Sequence, residues 1–181
     1  MSVKIITDSG CDLPKEIIKD YEIDVIPLLV YLGEEEYRDG ETITPTELYA
    51  NMRAKKVYKT AQAPLPLFVE TFKKYAAEGR ECIYVGFSSG LSGTFGTSAL
   101  AKDEVLREYP DFAVDLVDTK CASLGFGLVV LKAAQLARAG KSRAEIVEAV
   151  RFYAKNMEHI FTVDNLEYLF RGGRVSRTAA V

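Results

Sequence analysis

Short apolar runs alternate with helical stretches along this chain, and no other feature restricts its fold as strongly. Val3–Thr7, Ile23–Leu32, Cys82–Phe87 and Val114–Val117 read as strands, with a last one over Ile160–Val163. Helical patterns lie between them: one entered near Pro14, then Thr44 to about Met52, Leu67–Ala77, Thr94 to about Tyr109, Leu124–Ala139 and Ser142 to about Asn156. Thr44-Pro45-Thr46-Glu47 and Ser142-Arg143-Ala144-Glu145 are capping boxes, in which a hydroxyl and a carboxylate satisfy the first free amides of a helix. Ile23–Leu32 is one long β-rich run, broken by Gly33 and the acidic Glu34-Glu35-Glu36, and Thr60–Pro66 is a polar, proline-bearing loop. Parallel strands need long crossovers, so the pattern predicts an α/β fold, a three-layer α/β/α domain with a mostly parallel sheet. Ligands of such sheets bind at the carboxyl ends of the strands, which singles out Asp8–Leu13, Ser88–Thr94 and Asp118–Ser123. No element closes the chain after the last strand. That ending reads as a truncation.

With 181 residues, 48% of them hydrophobic, the chain can bury a core without a disulfide or metal staple. Basic residues number 23 against 26 acidic ones, a net charge of −3 that gives no general attraction to nucleic acid or anionic lipid. No apolar run reaches the roughly 18 residues of a membrane span. MSVKIITDSG turns polar too soon for a signal peptide, so secretion is not expected. Cys11, Cys82 and Cys121 are odd in number and far apart, and His159 is the one histidine. That excludes a disulfide framework and predicts no metal site. A cytoplasmic protein without a cofactor is the expectation.

The chemistry concentrates in Ser88–Thr94, SSGLSGT, between a strand and a helix. Free amides and the positive end of a helix dipole, together with the hydroxyls of Ser88, Ser89, Ser92 and Thr94, suit a carboxylate or phosphate. The same hydroxyls would serve equally as helix caps. Gly86-Phe87-Ser88-Ser89-Gly90 also matches G-x-S-x-G, so Ser88 is a candidate hydrolase nucleophile, with His159 as the one available base. A phosphate binder at Ser88–Thr94 is the third reading, although no Walker motif is present and Gly125-Phe126-Gly127 lacks the third glycine of a dinucleotide fingerprint. Asp8-Ser9 and Asp118-Thr119-Lys120 are polar rims or plain turns. Arg171-Gly172-Gly173-Arg174 presents two guanidiniums that could grip phosphate or an acidic partner, or simply a solvated turn.

Six ordered blocks, ITDSGCDLP, VIPLLV, TAQAP, SSGLSGT, VDTKCASLGFG and VDNLEYLFRGGRVS, resemble the DegV family over nearly the whole chain. The resemblance implies a two-domain bacterial fatty-acid-binding protein, an acyl-carrier subunit of a fatty acid kinase system. It implies no catalytic residues, a buried long acyl chain, and a carboxylate presented to the partner kinase. On matching positions it implies carboxylate contacts at Thr60, Ser92 and Gly93, and kinase docking at Arg171 and Arg174. Ala61 and Ala63 depart from the family's frequent serine and proline, leaving the Thr60 hydroxyl in place. Family members also run well past Arg174 into a second domain, so the resemblance implies an N-terminal α/β domain over residues 1–157 and the start of a truncated second α/β domain over 158–181, and apolar surface left uncovered here would favour self-association.

Overall fold

The computed structural model describes residues 2–163 and 166–176. β1 (Lys4–Asp8) leads through a single 3-10 turn at Ser9–Cys11 into α1 (Lys15–Asp20) and β2 (Asp24–Ile26). Next come β3 (Leu29–Leu32), β4 (Glu35–Arg38), α2 (Pro45–Arg53), β5 (Tyr58–Ala61) and α3 (Leu65–Ala77). The chain continues through β6 (Cys82–Gly86), α4 (Thr94–Glu108), β7 (Val114–Asp118), α5 (Ser123–Arg138), α6 (Arg143–Lys155) and α7 (Glu167–Arg171).

β2, β1, β6 and β7 form a parallel sheet in that spatial order. Alternate side chains of each strand point to opposite faces, and both faces are covered. Ile5, Ile83, Val85 and Val117 pack against Phe126, Val129 and Val130 of α5 and Ile146 and Val150 of α6. Ile6, Cys82, Tyr84 and Val114 pack against Phe68 and Phe72 of α3 and Ala101 and Val105 of α4. The expected three layers are present. The strand order reverses between β1 and β6, so a crevice opens at their carboxyl ends.

Both capping boxes form as their sequences require, Thr44 with Glu47 at the start of α2 and Ser142 with Glu145 at the start of α6. Four expectations need correction. Ile23–Leu32 is two strands in different sheets: Leu28 N–H bonds Ser9 Oγ at 3.0 Å, and the chain leaves the parallel sheet there. β3 then forms the middle of an antiparallel sheet of order β4-β3-β5. Glu35 and Glu36, read as strand breakers, lie in edge strand β4, where Tyr37 and Tyr31 hydroxyls donate to their carboxylates at 2.6 Å each. The supposed loop at Thr60 is the end of β5, with Thr60 opposite Val30. Finally, Ile160–Val163 forms no strand; Ile160 is 99% exposed, and among the described residues β7 pairs with β6 alone.

Gly127 shows how tightly α5 seats on the turn after β1. A Cβ there would overlap the Cys11 carbonyl oxygen, a backbone atom that cannot swing aside. Gly127→Ala is expected to cost roughly 1–3 kcal/mol of stability. For a domain of this size that lowers the melting temperature by about 2–4 °C per kcal/mol. An unchanged melting temperature would show that helix and turn can separate without cost.

Candidate anion-binding loop at the sheet's carboxyl edge

The β6–α4 loop is braced from both neighbouring strands. On the β1 side, Asp8 accepts from Phe87 N–H at 3.0 Å and from the Tyr84 hydroxyl at 2.6 Å with one oxygen. Its other oxygen accepts from Gly10 N–H at 3.2 Å. Burial pushes the Asp8 carboxyl up to about 6 from 3.8; the hydrogen bonds from Tyr84, Phe87 and Gly10 oppose the rise, and nearby Asp39 adds to it. On the β7 side, Asp118 accepts from the N–H groups of Ser89 at 3.1 Å and Lys120 at 3.2 Å. Burial works to raise this carboxyl, but the hydrogen bonds from Lys120 and Ser89 outweigh it and hold it below its ordinary value. Beneath the loop, Thr119 Oγ1 donates to Gly86 O at 2.8 Å, and Ser88 N–H donates to Cys121 O at 3.1 Å.

Within the loop, Ser88 O accepts from Leu91 N–H and Ser92 N–H at 3.0 and 3.1 Å, which curls the chain into α4. Ser92 Oγ accepts from Thr94 N–H at 3.2 Å and lies 2.8 Å from Thr94 Oγ1. Thr94 Oγ1 also accepts from Ala63 N–H at 3.3 Å. Ser92 thus bonds the first amide of α4 from outside the helix and does not occupy the cap position itself. That bond leaves the site's chemistry intact: if Thr94 is the donor of the hydroxyl pair, both Ser92 lone pairs are occupied and its own proton is free to donate outward. Gly93, solvent-exposed, forms the N-cap of α4.

Thr60 is exposed at the end of β5. The residues after it, Gln62 and Ala63, reach the first turn of α4, where Gln62 Nε2 donates to Thr97 Oγ1 at 2.8 Å. The fold thus carries the Thr60 strand end onto the helix start that follows Ser92 and Gly93. The two arginines behave differently. Arg174 Nε donates to Leu91 O at 3.2 Å, so its guanidinium reaches the anion loop. Arg171 ends α7, pairs with Glu167 and lies 5.7 Å from the Tyr168 ring centre.

Ser88 is buried, its hydroxyl oxygen accepts from Gly90 N–H at 3.2 Å, and its backbone is not in the left-handed region. His159 Nε2 accepts from Ala122 N–H at 3.3 Å, at the start of α5. Burial raises the thiols of Cys11, Cys82 and Cys121 above their ordinary value, which disfavours thiolate. Among the described residues no group of three or more His, Cys, Asp or Glu side chains could hold a metal ion. No helix there is long and apolar enough to cross a membrane.

Sequence reasoning left Asp8, Asp118 and Gln62 without a firm role. Lys120 in the β7–α5 loop and Ser123 at the start of α5 take positive φ values of 57° and 48°. Strain of this kind gathers at ligand loops, but a sequence shows it poorly when the residues are not glycine.

Comparison with known proteins agrees with this architecture. A family model described as an uncharacterised protein of the DegV family matches residues 2–181. A DegV domain-containing protein of Clostridium perfringens is 42% identical over 178 residues, covering 97% of this chain and 61% of the relative. Another from Lactococcus lactis is 36% identical over 183 residues, covering 100% of this chain and 63% of the relative. Among solved structures, a stearic acid-binding protein from Eubacterium ventriosum has a TM-score of 0.88 at 29% identity, over 97% of this chain and 61% of that one. A DegV family protein from Thermus thermophilus, described by its fatty acid binding, has a TM-score of 0.85 at 33% identity, over 99% of this chain and 63% of that one. The chain spans about three fifths of the length of these relatives. The whole-chain family match and the shared fold lead to one conclusion: this chain belongs to the DegV family.

Proposed function

We propose that the chain is the carboxylate-holding part of a long-chain fatty acid carrier, which presents the acid to a partner kinase and has no catalytic residue of its own. Thr60, Ser92 and Gly93 hold the carboxylate in this reading, and Arg171 and Arg174 dock the kinase. Residues 158–181 begin a second domain, and the protein works in the cytoplasm without a cofactor. The observation that carries the reading is the β6–α4 loop, where the Ser92 hydroxyl and the α4 N-terminus converge at the crevice between β1 and β6.

Energetics support a carrier. About fifteen methylenes taken from water contribute on the order of 12 kcal/mol before association costs. An ionised carboxylate buried with them would offset much of that unless hydrogen-bonded, and the Ser92 hydroxyl with the helix amides supplies such bonds. Leu91, Leu124, Leu128, Ile160 and Phe161 are all more than two fifths exposed on or beside the carboxyl-edge loops, and offer apolar surface to an acyl chain or a second copy of the protein.

Ser92→Ala tests the reading. A hydrogen bond to a charged group contributes roughly 1.5–3 kcal/mol, so stearate binding should weaken about tenfold or more. Native mass spectrometry of the purified protein, wild type beside variant, reads the retained acid. Equal retention would remove Ser92 from the site, and a bare wild type would count against the carrier itself.

A further inference from the structure

We propose that Gln62 is the positioning residue of the anion loop, a role that rests on the carrier reading above. Its side chain grips α4 from two sides. Nε2 donates to Thr97 Oγ1 at 2.8 Å, and Thr97 Oγ1 donates onward to Gly93 O at 3.3 Å. The amide oxygen lies against Gly93 so closely that a Cβ at that position would overlap it. Beside it, fully buried Ala63 gives its N–H to Thr94 Oγ1.

This grip matters because of where β5 stands. Among the described residues β5 is an edge strand bonded to β3 alone, and its last residues, Thr60 among them, are exposed. Pairing with β3 sets the register of Thr60 against Val30, but it leaves the end of the strand free to swing relative to the parallel sheet. Gln62 and Ala63 remove that freedom by fastening the strand end to the first turn of α4. A carboxylate that bonds both Thr60 and Ser92 needs their hydroxyls at one separation, and Gln62 sets it. Two requirements follow. Position 93 keeps the amide oxygen in place only as glycine, since a Cβ would push this flexible side-chain end aside. Position 62 must also be neutral, since a carboxylate there would repel the anion that the helix N-terminus attracts.

The first test uses the ligand-free chain. Gly93→Ala should push the flexible Gln62 amide aside and so cost only what the grip contributes, at about 2–4 °C of melting temperature per kcal/mol. Gln62→Ala should lower the melting temperature by a similar amount, and the double variant by little more than either change alone. Strictly additive losses would mean that the two residues do not touch in solution, and would overturn the proposal whatever the ligand.

The second test measures stearate affinity. Gln62→Ala, folded by circular dichroism, should bind about tenfold more weakly. Gln62→Glu keeps the shape and should bind more weakly still at neutral pH. Its deficit relative to wild type should then shrink as the new carboxyl protonates, near a pH of about 4–5. A purely structural role would not move with pH in this way, and a Gln62→Glu deficit constant with pH, or wild-type affinity in both variants, would overturn the proposal. A wild-type chain that takes no stearate overturns the carrier reading and the ligand half of this proposal with it, while the melts still decide whether Gln62 holds the loop.

Discussion

Phe68→Ala should lower the free energy of unfolding by roughly 3–5 kcal/mol, a large share of the 5–15 kcal/mol or so that holds most domains folded. Phe68 is fully buried between α3 and the parallel sheet. Its ring meets Tyr84 edge-on at 5.1 Å and Phe72 at 5.9 Å between centres. Truncation removes those contacts and opens a cavity that fixed strands on one side and a helix on the other cannot fully collapse. The damage should reach the candidate site, because the Tyr84 hydroxyl is one of the donors that hold Asp8. Urea melts would give the loss directly, and hydrogen exchange should show the Phe87 and Gly10 amides opening sooner than in wild type. A loss below about 1 kcal/mol would mean that the core relaxes around the gap.

Much of the parallel half of the fold was legible because its signals are local. The two capping boxes, the apolar runs of β6 and β7 and the alanine-rich face of α5 each carry their information within a few residues. The antiparallel sheet was not legible for the opposite reason. β5 exposes most of its side chains and exists because β3 supplies its hydrogen bonds from 32 residues away at the Leu29–Ala61 pair, counted along the chain. β4 carries glutamates that resemble a turn until Tyr31 and Tyr37 are seen to bond them. Ile23–Leu32 has the composition of one strand, and only the Ser9 hydroxyl, reached across the fold, shows where it divides.

The candidate site follows the same division. The SSGLSGT loop was visible as an anion cradle since its hydroxyls, glycines and helix are contiguous. Its supports were not visible: Asp8 reaches Phe87 across 79 positions, and Asp118 reaches Ser89 across 29. An aspartate that ends a strand reads as a turn former or a rim, and only the sheet order β1-β6-β7 turns both aspartates into braces of the same loop.

Asp8→Asn should abolish a pH dependence worth about 3 kcal/mol between pH 4 and 6 or so. Burial raises the folded-state carboxyl from 3.8 to about 6, despite the bonds from Tyr84, Phe87 and Gly10, and the facing Asp39 carboxylate adds to the rise. Across that interval the folded protein keeps a proton that the unfolded chain has released, so stability falls as pH rises. The contribution is fully present below 3.8 and is lost once the pH passes about 6. Asparagine keeps an acceptor oxygen for Tyr84 and Phe87 and stays neutral throughout, at the cost of about 1 kcal/mol where its NH₂ faces the Gly10 amide. The variant should therefore be less stable than wild type at pH 4 and should overtake it by pH 7. Urea melts of both proteins at intervals across that range decide the matter, and parallel curves would mean that Asp8 is ionised in the fold well below pH 6. The result bears on function because ionised Asp8 puts a negative charge directly beneath a loop whose amides and hydroxyls are arranged for an anion. A protonated Asp8 relieves that repulsion, so wild type should hold a ligand carboxylate more tightly at pH 5 than Asp8 ionised at pH 7 allows, and Asp8→Asn should flatten that difference.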